Sequence, residues 1–330
     1  MSSGTYPAIG LVAVADNATR HLLSTLNAFP GAWMTATEIG TPPQASATAA
    51  SICITNWYTM LAYVADNADD TLMLATSIGD IWSPAPLAGA GFGPQSTLLA
   101  PAITALPGYN NAILAFVERP GRLDPLLREP QAIQPGGRLL ITATVDGTPS
   151  SWTPPVGAHD QTSLTAPALT CFGTRLALAY GGDGPANALS LMTSADNAKT
   201  WTAPVPVVGH PSRMAPGLTA LGDTLVLAYT ADAAVKDVMV TTSSNGGQSW
   251  SAAVPVGGPP SQTAPAIAQE ASTIVVAYAA DTPKNEVLAT ASTDGGKTWS
   301  VVQPVAGLTS KLAPALYPSS IPSENFGTGF

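Results

Sequence analysis

Six of the seven tryptophans in this chain recur at a set interval. Trp33 and Trp82 lie 49 residues apart, and after a gap of 70 residues Trp152, Trp201, Trp250 and Trp299 follow one another at 49. A fixed period of about 20–50 residues marks a chain assembled from repeated supersecondary units. The flanking residues repeat as well: Ala166-Pro167, Ala215-Pro216, Ala264-Pro265 and Ala313-Pro314 each open a short apolar run. A turn follows, then Leu176 to Tyr180 or its equivalents Leu225 to Tyr229 and Ile274 to Tyr278, then a third run such as Val238 to Thr242 and a fourth such as Val254 to Val256. Runs of four to eight residues rich in Val, Ile, Thr and Tyr, bounded by Gly, Pro, Asn and Asp, are strands and turns. Each unit is predicted to be a four-stranded antiparallel sheet.

Four-stranded units of about 40–50 residues, repeated four to eight times, describe a β-propeller, which protects its sheet edges by setting the blades around an axis. The chain is expected to be all-β, a single six-bladed propeller over residues 1–330. Pro7 to Asp16 is too short for the first two strands of a unit. The run Leu312 to Tyr317 repeats an opening strand with nothing of its own unit after it, so the C-terminal strand is expected to close blade one.

Charged residues make up 10% of the chain and 45% is apolar, as sheets covered on both faces require. No apolar run reaches the ~18 residues of a membrane span, and residues 1–10 have no basic segment leading into an apolar core. No membrane insertion is expected, and a secreted or extracellular-acting protein is favoured. A net charge of -9 with 12 Lys and Arg argues against nucleic acid, whose affinity comes from clustered basic side chains. Cys53 and Cys171 fall on inner strands of non-adjacent blades, too far apart for a disulfide. His21, His159 and His210 have no ligand spacing, so no metal or cofactor is expected.

In unit six the third and fourth strands are joined by Ser292-Thr293-Asp294-Gly295-Gly296-Lys297-Thr298-Trp299. This turn resembles the Asp-box, or bacterial neuraminidase repeat. Unit four keeps it with Ala198 in place of a glycine, and unit five with Asn245 in place of the aspartate. A short polar side chain accepting backbone N–H groups, a residue at positive φ and a covering tryptophan make this a structural device. The resemblance to the sialidase-like propellers implies that the boxes lie on the face opposite the active site. It also implies three arginines around the axis and a Tyr-Glu nucleophile pair. Here Thr5 to Ile9 has no arginine where that family has its first, and four of the seven arginines (Arg119, Arg122, Arg128, Arg138) crowd into one blade. The resemblance covers the fold and fails at the catalytic residues, so no catalytic set is assigned.

On the face opposite the boxes a second repeat appears at the end of each second strand: Asp16, Asp66, Asp183, Asp232 and Asp281, with Glu118-Arg119 in blade three. Two readings of these carboxylates stand. Ionised carboxylates accept paired hydrogen bonds from sugar hydroxyls, and aspartate also suits a turning chain for conformational reasons alone. The entry loops before the Ala-Pro pairs (Gln95, Ser163, Ser212, Gln262, Ser310) add the basic residues Arg213 and Lys311, and Phe92 is expected to be an exposed aromatic. The Tyr63, Tyr180, Tyr229 and Tyr278 series, with Phe116, is assigned to packing. Blade three has 15 extra residues in a charged loop from Glu118 to Pro130, including Arg122. A functional loop, a neutral insertion and a protein contact are all open readings of it.

The reading favoured is a lectin-like propeller that binds glycans or glycoconjugates at several sites without cleaving them. A glycoside hydrolase or lyase using Glu118, Asp124 or Glu129 is the alternative, and a protein-interaction scaffold is the third. Fold alone does not choose among them.

Overall fold

A computed structural model describes residues 5–28, 33–78, 81–106, 111–119, 136–182 and 187–322. Its strands form six four-stranded antiparallel sheets, five of which run in chain order from the inner to the outer strand. In blade one the inner strand is Ala315–Pro322 from the C-terminal end, pairing antiparallel with Thr5–Val14 so that Tyr317 faces Gly10. The ring therefore closes by joining the two ends of the chain, as the truncated first unit requires.

Every second strand is buried along most of its length, as in Thr59–Val64, Arg175–Gly181, Thr224–Thr230 and Thr273–Ala279. One face of each sheet packs on the blade before and the other on the blade after, which is why these runs read as nearly continuous apolar sequence. The core divides into six clusters, one per blade junction, and the ruler tryptophans explain their spacing. Trp33, Trp82, Trp152, Trp201, Trp250 and Trp299 each belong to the cluster shared with the preceding blade. The tryptophan covers its own turn and also wedges two blades together. An indole contributes more apolar area than any other side chain, so one per junction is the natural period of the fold.

The three recognisable Asp-boxes share one set of hydrogen bonds. In blade six, Ser292 Oγ donates to Asp294 Oδ1 (2.8 Å), the Thr298 amide donates to the same oxygen (2.9 Å), and the Gly296 amide donates to Ser292 Oγ (2.9 Å). Ser194 and Asp196 do the same in blade four, and Ser243 and Asn245 in blade five. Donors converging on the carboxylates favour the ionised form: the Thr200 hydroxyl and amide bring the Asp196 pKa down to about 2, and Thr298 holds Asp294 well below the usual range. The sequence difference in blade four has a conformational consequence. Ala198 sits at φ +68°, where the other two boxes have Gly247 and Gly296.

Both cysteines are free. Cys53 is buried among apolar side chains, which pushes its thiol pKa up, and Cys171 Sγ contacts the Ala105 carbonyl of blade three at 3.1 Å.

Candidate functional site

Antiparallel strands put the second-to-third-strand loops and the entry loops on one face, here called the upper face, with the Asp-boxes on the lower. The described carboxylates of the repeat stand on the upper face, and Asp16, Asp66 and Asp232 each take a contact from across a blade junction. Asp232 of blade five receives Arg213 Nε (2.8 Å) from its own entry loop and Asn187 Nδ2 (2.7 Å) from blade four. Asp16 of blade one receives Lys311 Nζ (2.9 Å) and Asn285 Nδ2 (2.9 Å) from blade six. Asp66 faces Arg20 Nη1 of blade one at 3.5 Å.

These contacts follow one rule. At four junctions the residue four positions after the carboxylate position (Arg20, Asp70, Asn187 and Asn285) reaches the carboxylate position of the next blade. Blade three obeys the rule with its signs exchanged: Arg119 occupies the carboxylate position and meets Asp70 of blade two at 2.9 Å. The second member of the pair was not legible from the repeat, because Arg20, Asp70, Asn187, Lys236 and Asn285 share a position without sharing a chemistry. Hydrogen bonds to the ionised form lower the pKa of Asp16, chiefly from Lys311 and then Asn285, and of Asp232, chiefly from Asn187 and then Arg213.

The remaining expected residues fall as follows. Glu118 lies 3.7 Å from Arg138, at the root of the blade-three loop. Asp183 and Arg122 lie outside the described residues, as do Asp124 and Glu129. Asp281 is exposed on the blade-six loop, its amide bonded to the Pro260 carbonyl. Phe92, expected to be exposed, is half-buried and packs on the cluster between blades two and three, because the loop folds back through the Gly89–Phe92 bridge. The entry-loop serines are also not open to a ligand. Ser163, Ser212 and Ser310 are buried, and their hydroxyls donate to the backbone carbonyls of Thr165, Met214 and Leu312 two residues on. They brace the loop that enters each inner strand. Tyr63, Tyr180 and Tyr229 are core residues whose hydroxyls bond a side chain 19 residues earlier: Gln44, Gln161 and His210. An exposed aromatic does exist, but elsewhere: Trp57, off the 49-residue ruler, is 60% exposed on the lower face of blade two.

Among the described residues, two cavities bear on this frame. The first, about 390 Å³, runs along the axis and is lined by the inner strands and the Ala-Pro pairs. Among the described residues, its polar lining side chains are Ser51, Cys53, Thr104, Thr170 and Thr219. No carboxylate, arginine, histidine or tyrosine lines it among the described residues. The second, about 430 Å³, lies on the upper face at the seam where the ring closes, bounded by Asp16, Asn17, Arg20 and Lys311 over Val14 and Leu312. Among the described residues no group of three or more His, Cys, Asp or Glu side chains is placed to hold a metal ion.

Six four-stranded blades, three of them with Asp-boxes at their third-to-fourth turns, make this an Asp-box β-propeller. Residues 140–325, more than half of the chain, match the BNR repeat-like domain, and the chain belongs to that family. No curated protein sequence matches it. Among solved structures it is similar to a lectin from Burkholderia pseudomallei (18% identity, 91% of this chain and 95% of that one, TM-score 0.59). It is also similar to a mutant Aleuria aurantia lectin in complex with α-methyl-L-fucoside (13%, 92% and 98%, TM-score 0.59). A Hadza microbial sialidase resembles it at 12% identity over 93% of this chain and 74% of that one, with a TM-score of 0.54. Likeness at these identities is a likeness of fold.

Proposed function

We propose that the protein is a carbohydrate-binding propeller that holds glycans on its upper face and does not cleave them. The observation that carries this reading is the lining of the axial cavity. Glycoside cleavage needs two carboxyl groups roughly 5–10 Å apart, or an equivalent nucleophile and acid, around the bond to be broken. Among the described residues, the side chains lining the axial cavity include neither. The described carboxylates are instead spread around the rim, and Asp16 and Asp232 are held ionised by neighbouring donors. An ionised carboxylate has about four lone-pair sites. Asp16 and Asp232 each use two on the junction contacts, leaving acceptors for sugar hydroxyls. Similarity to two lectin structures over more than nine-tenths of this chain supports the same reading.

Repetition around the ring then implies several weak sites. A few hydrogen bonds to solvated hydroxyls give small net free energy, and multivalent attachment to a glycan-coated surface supplies the useful affinity. A glycan array tests the proposal: retention of the chain on a subset of saccharides is expected, weakened by Asp232→Asn and Asp16→Asn. Retention on none would contradict it.

A further inference from the structure

The seam pocket brings together two repeated upper-face positions that are both cationic, a pairing blade five shares in Arg213 and Lys236, and here the two side chains line a cavity. Lys311 stands where the other entry loops carry Ala47, Leu98, Leu164, Arg213 and Gln262, and Arg20 where other blades carry Asp70, Asn187, Lys236 and Asn285. At the seam both positions are cationic and both side chains line one cavity of about 430 Å³, within the ~300–1,000 Å³ of small-molecule sites. Asp16 neutralises one of the two, and Asp66 reaches Arg20 only at 3.5 Å. The Arg20 and Lys311 side chains remain 48% and 69% exposed, so a ligand can reach them.

We propose that this pocket binds a saccharide carrying an anionic group, a carboxylate or a sulfate, with the anion on Arg20 and Lys311 and the ring hydroxyls on Asp16 and Asn17. Asn17 Oδ1 already accepts from Thr19 and the Arg20 amide, so its free contribution is the Nδ2 donors. Leu312, half-buried, adds an apolar lining beside them. Arg20 and Lys311, only partly neutralised, favour an anion over a neutral sugar at short range, against the long-range repulsion of a chain of net charge -9. Charge-assisted hydrogen bonds are roughly twice as strong as neutral ones, which sets the direction of the preference.

This inference rests on the carbohydrate-binding reading, and calorimetric titration of the full chain with four probes separates the two. The probes are methyl glucuronide, galactose 6-sulfate, methyl glucoside and inorganic sulfate. One of the two anionic sugars is expected to bind about tenfold tighter than the glucoside, with the tighter one identifying the anion. R20Q and K311Q should each bring the ratio of its affinity to that of the glucoside down to about one. R20Q, at a half-exposed side chain, serves if K311Q loosens the Asp16 junction, which melting temperatures will reveal. Equal affinity for charged and neutral sugars would overturn the inference and leave carbohydrate binding standing. Sulfate binding as tightly as the sulfated sugar would overturn it too, as an ion site with no role for the ring. Failure of every sugar would overturn both.

Discussion

Arg119 Nη1 lies 2.9 Å from Asp70 Oδ2, joining blade three to blade two with the charges exchanged relative to Asp66 and Arg20, which join blade two to blade one. A junction that keeps its ion pair while swapping its signs shows that the pairing, and not the aspartate alone, is what the position holds. The pair is only partly exposed, so its worth is small, in the range of ~0.2–1 kcal/mol for surface pairs. R119D sets two carboxylates against each other and is expected to destabilise by up to about 1 kcal/mol in urea unfolding. D70R combined with R119D should recover most of that loss. If the double variant is no more stable than R119D, the two side chains are not coupled.

The ring depends on its last strand. Removing residues from Thr309 onward takes away the inner strand of blade one, exposes the edge of Thr5–Val14, and opens the clusters on both sides, which contain Ala315, Leu316 and Tyr317. No soluble monomer is expected from the truncated chain in size-exclusion chromatography. A folded monomer with an unchanged melting temperature would mean that the ring closes without that strand.

Ala198 occupies a left-handed position that its counterparts fill with glycine. Relief of that backbone strain exceeds the value of one buried methyl, about 0.8 kcal/mol. A198G is therefore expected to stabilise by roughly 0.5–1 kcal/mol, read as a higher urea midpoint at constant slope. Destabilisation would show that the methyl contact in the cluster between blades three and four dominates.

His210 replaces a glutamine in the repeated contact to the second-strand tyrosine: Gln44 serves Tyr63, Gln161 serves Tyr180, and His210 Nδ1 lies 2.9 Å from the Tyr229 hydroxyl. Burial lowers its pKa from 6.5, partly offset by a hydrogen bond to the Ser251 backbone. Below about pH 6.5 the unfolded chain therefore binds a proton that the folded chain resists, and stability falls with acidification until the folded histidine also titrates. His210→Gln should abolish this step while leaving the acid transition of Asp196 and Asp294, which comes at lower pH. An identical pH profile for His210→Gln would remove His210 as its cause.

Much of the fold is written into the sequence at short range. The tryptophan period, the Ala-Pro pairs and the orphaned strand at Ala315 are each local patterns, and blade number and closure follow from them. The upper face is different. Which carboxylate positions exist could be read from Asp16, Asp66, Asp232 and Asp281, since identical residues recur in phase. Their partners could not, because Asn285 reaches Asp16 across 269 residues of chain and the partner position varies in charge from blade to blade. The burial of Ser163, Ser212 and Ser310 was hidden for another reason. A serine in a loop looks solvated until the carbonyl that takes its hydroxyl is known.

The central claim is that the upper face binds glycan and leaves it whole. The most direct measurement incubates the chain with an end-labelled oligosaccharide chosen from the array, separates bound from free, and recovers both fractions for chromatography after a day. The account predicts a saturable bound fraction that D232N and D16N reduce, with all recovered label at the length of the starting oligosaccharide. Shortened, labelled product accumulating with protein and with time would contradict it and make the protein a glycosidase.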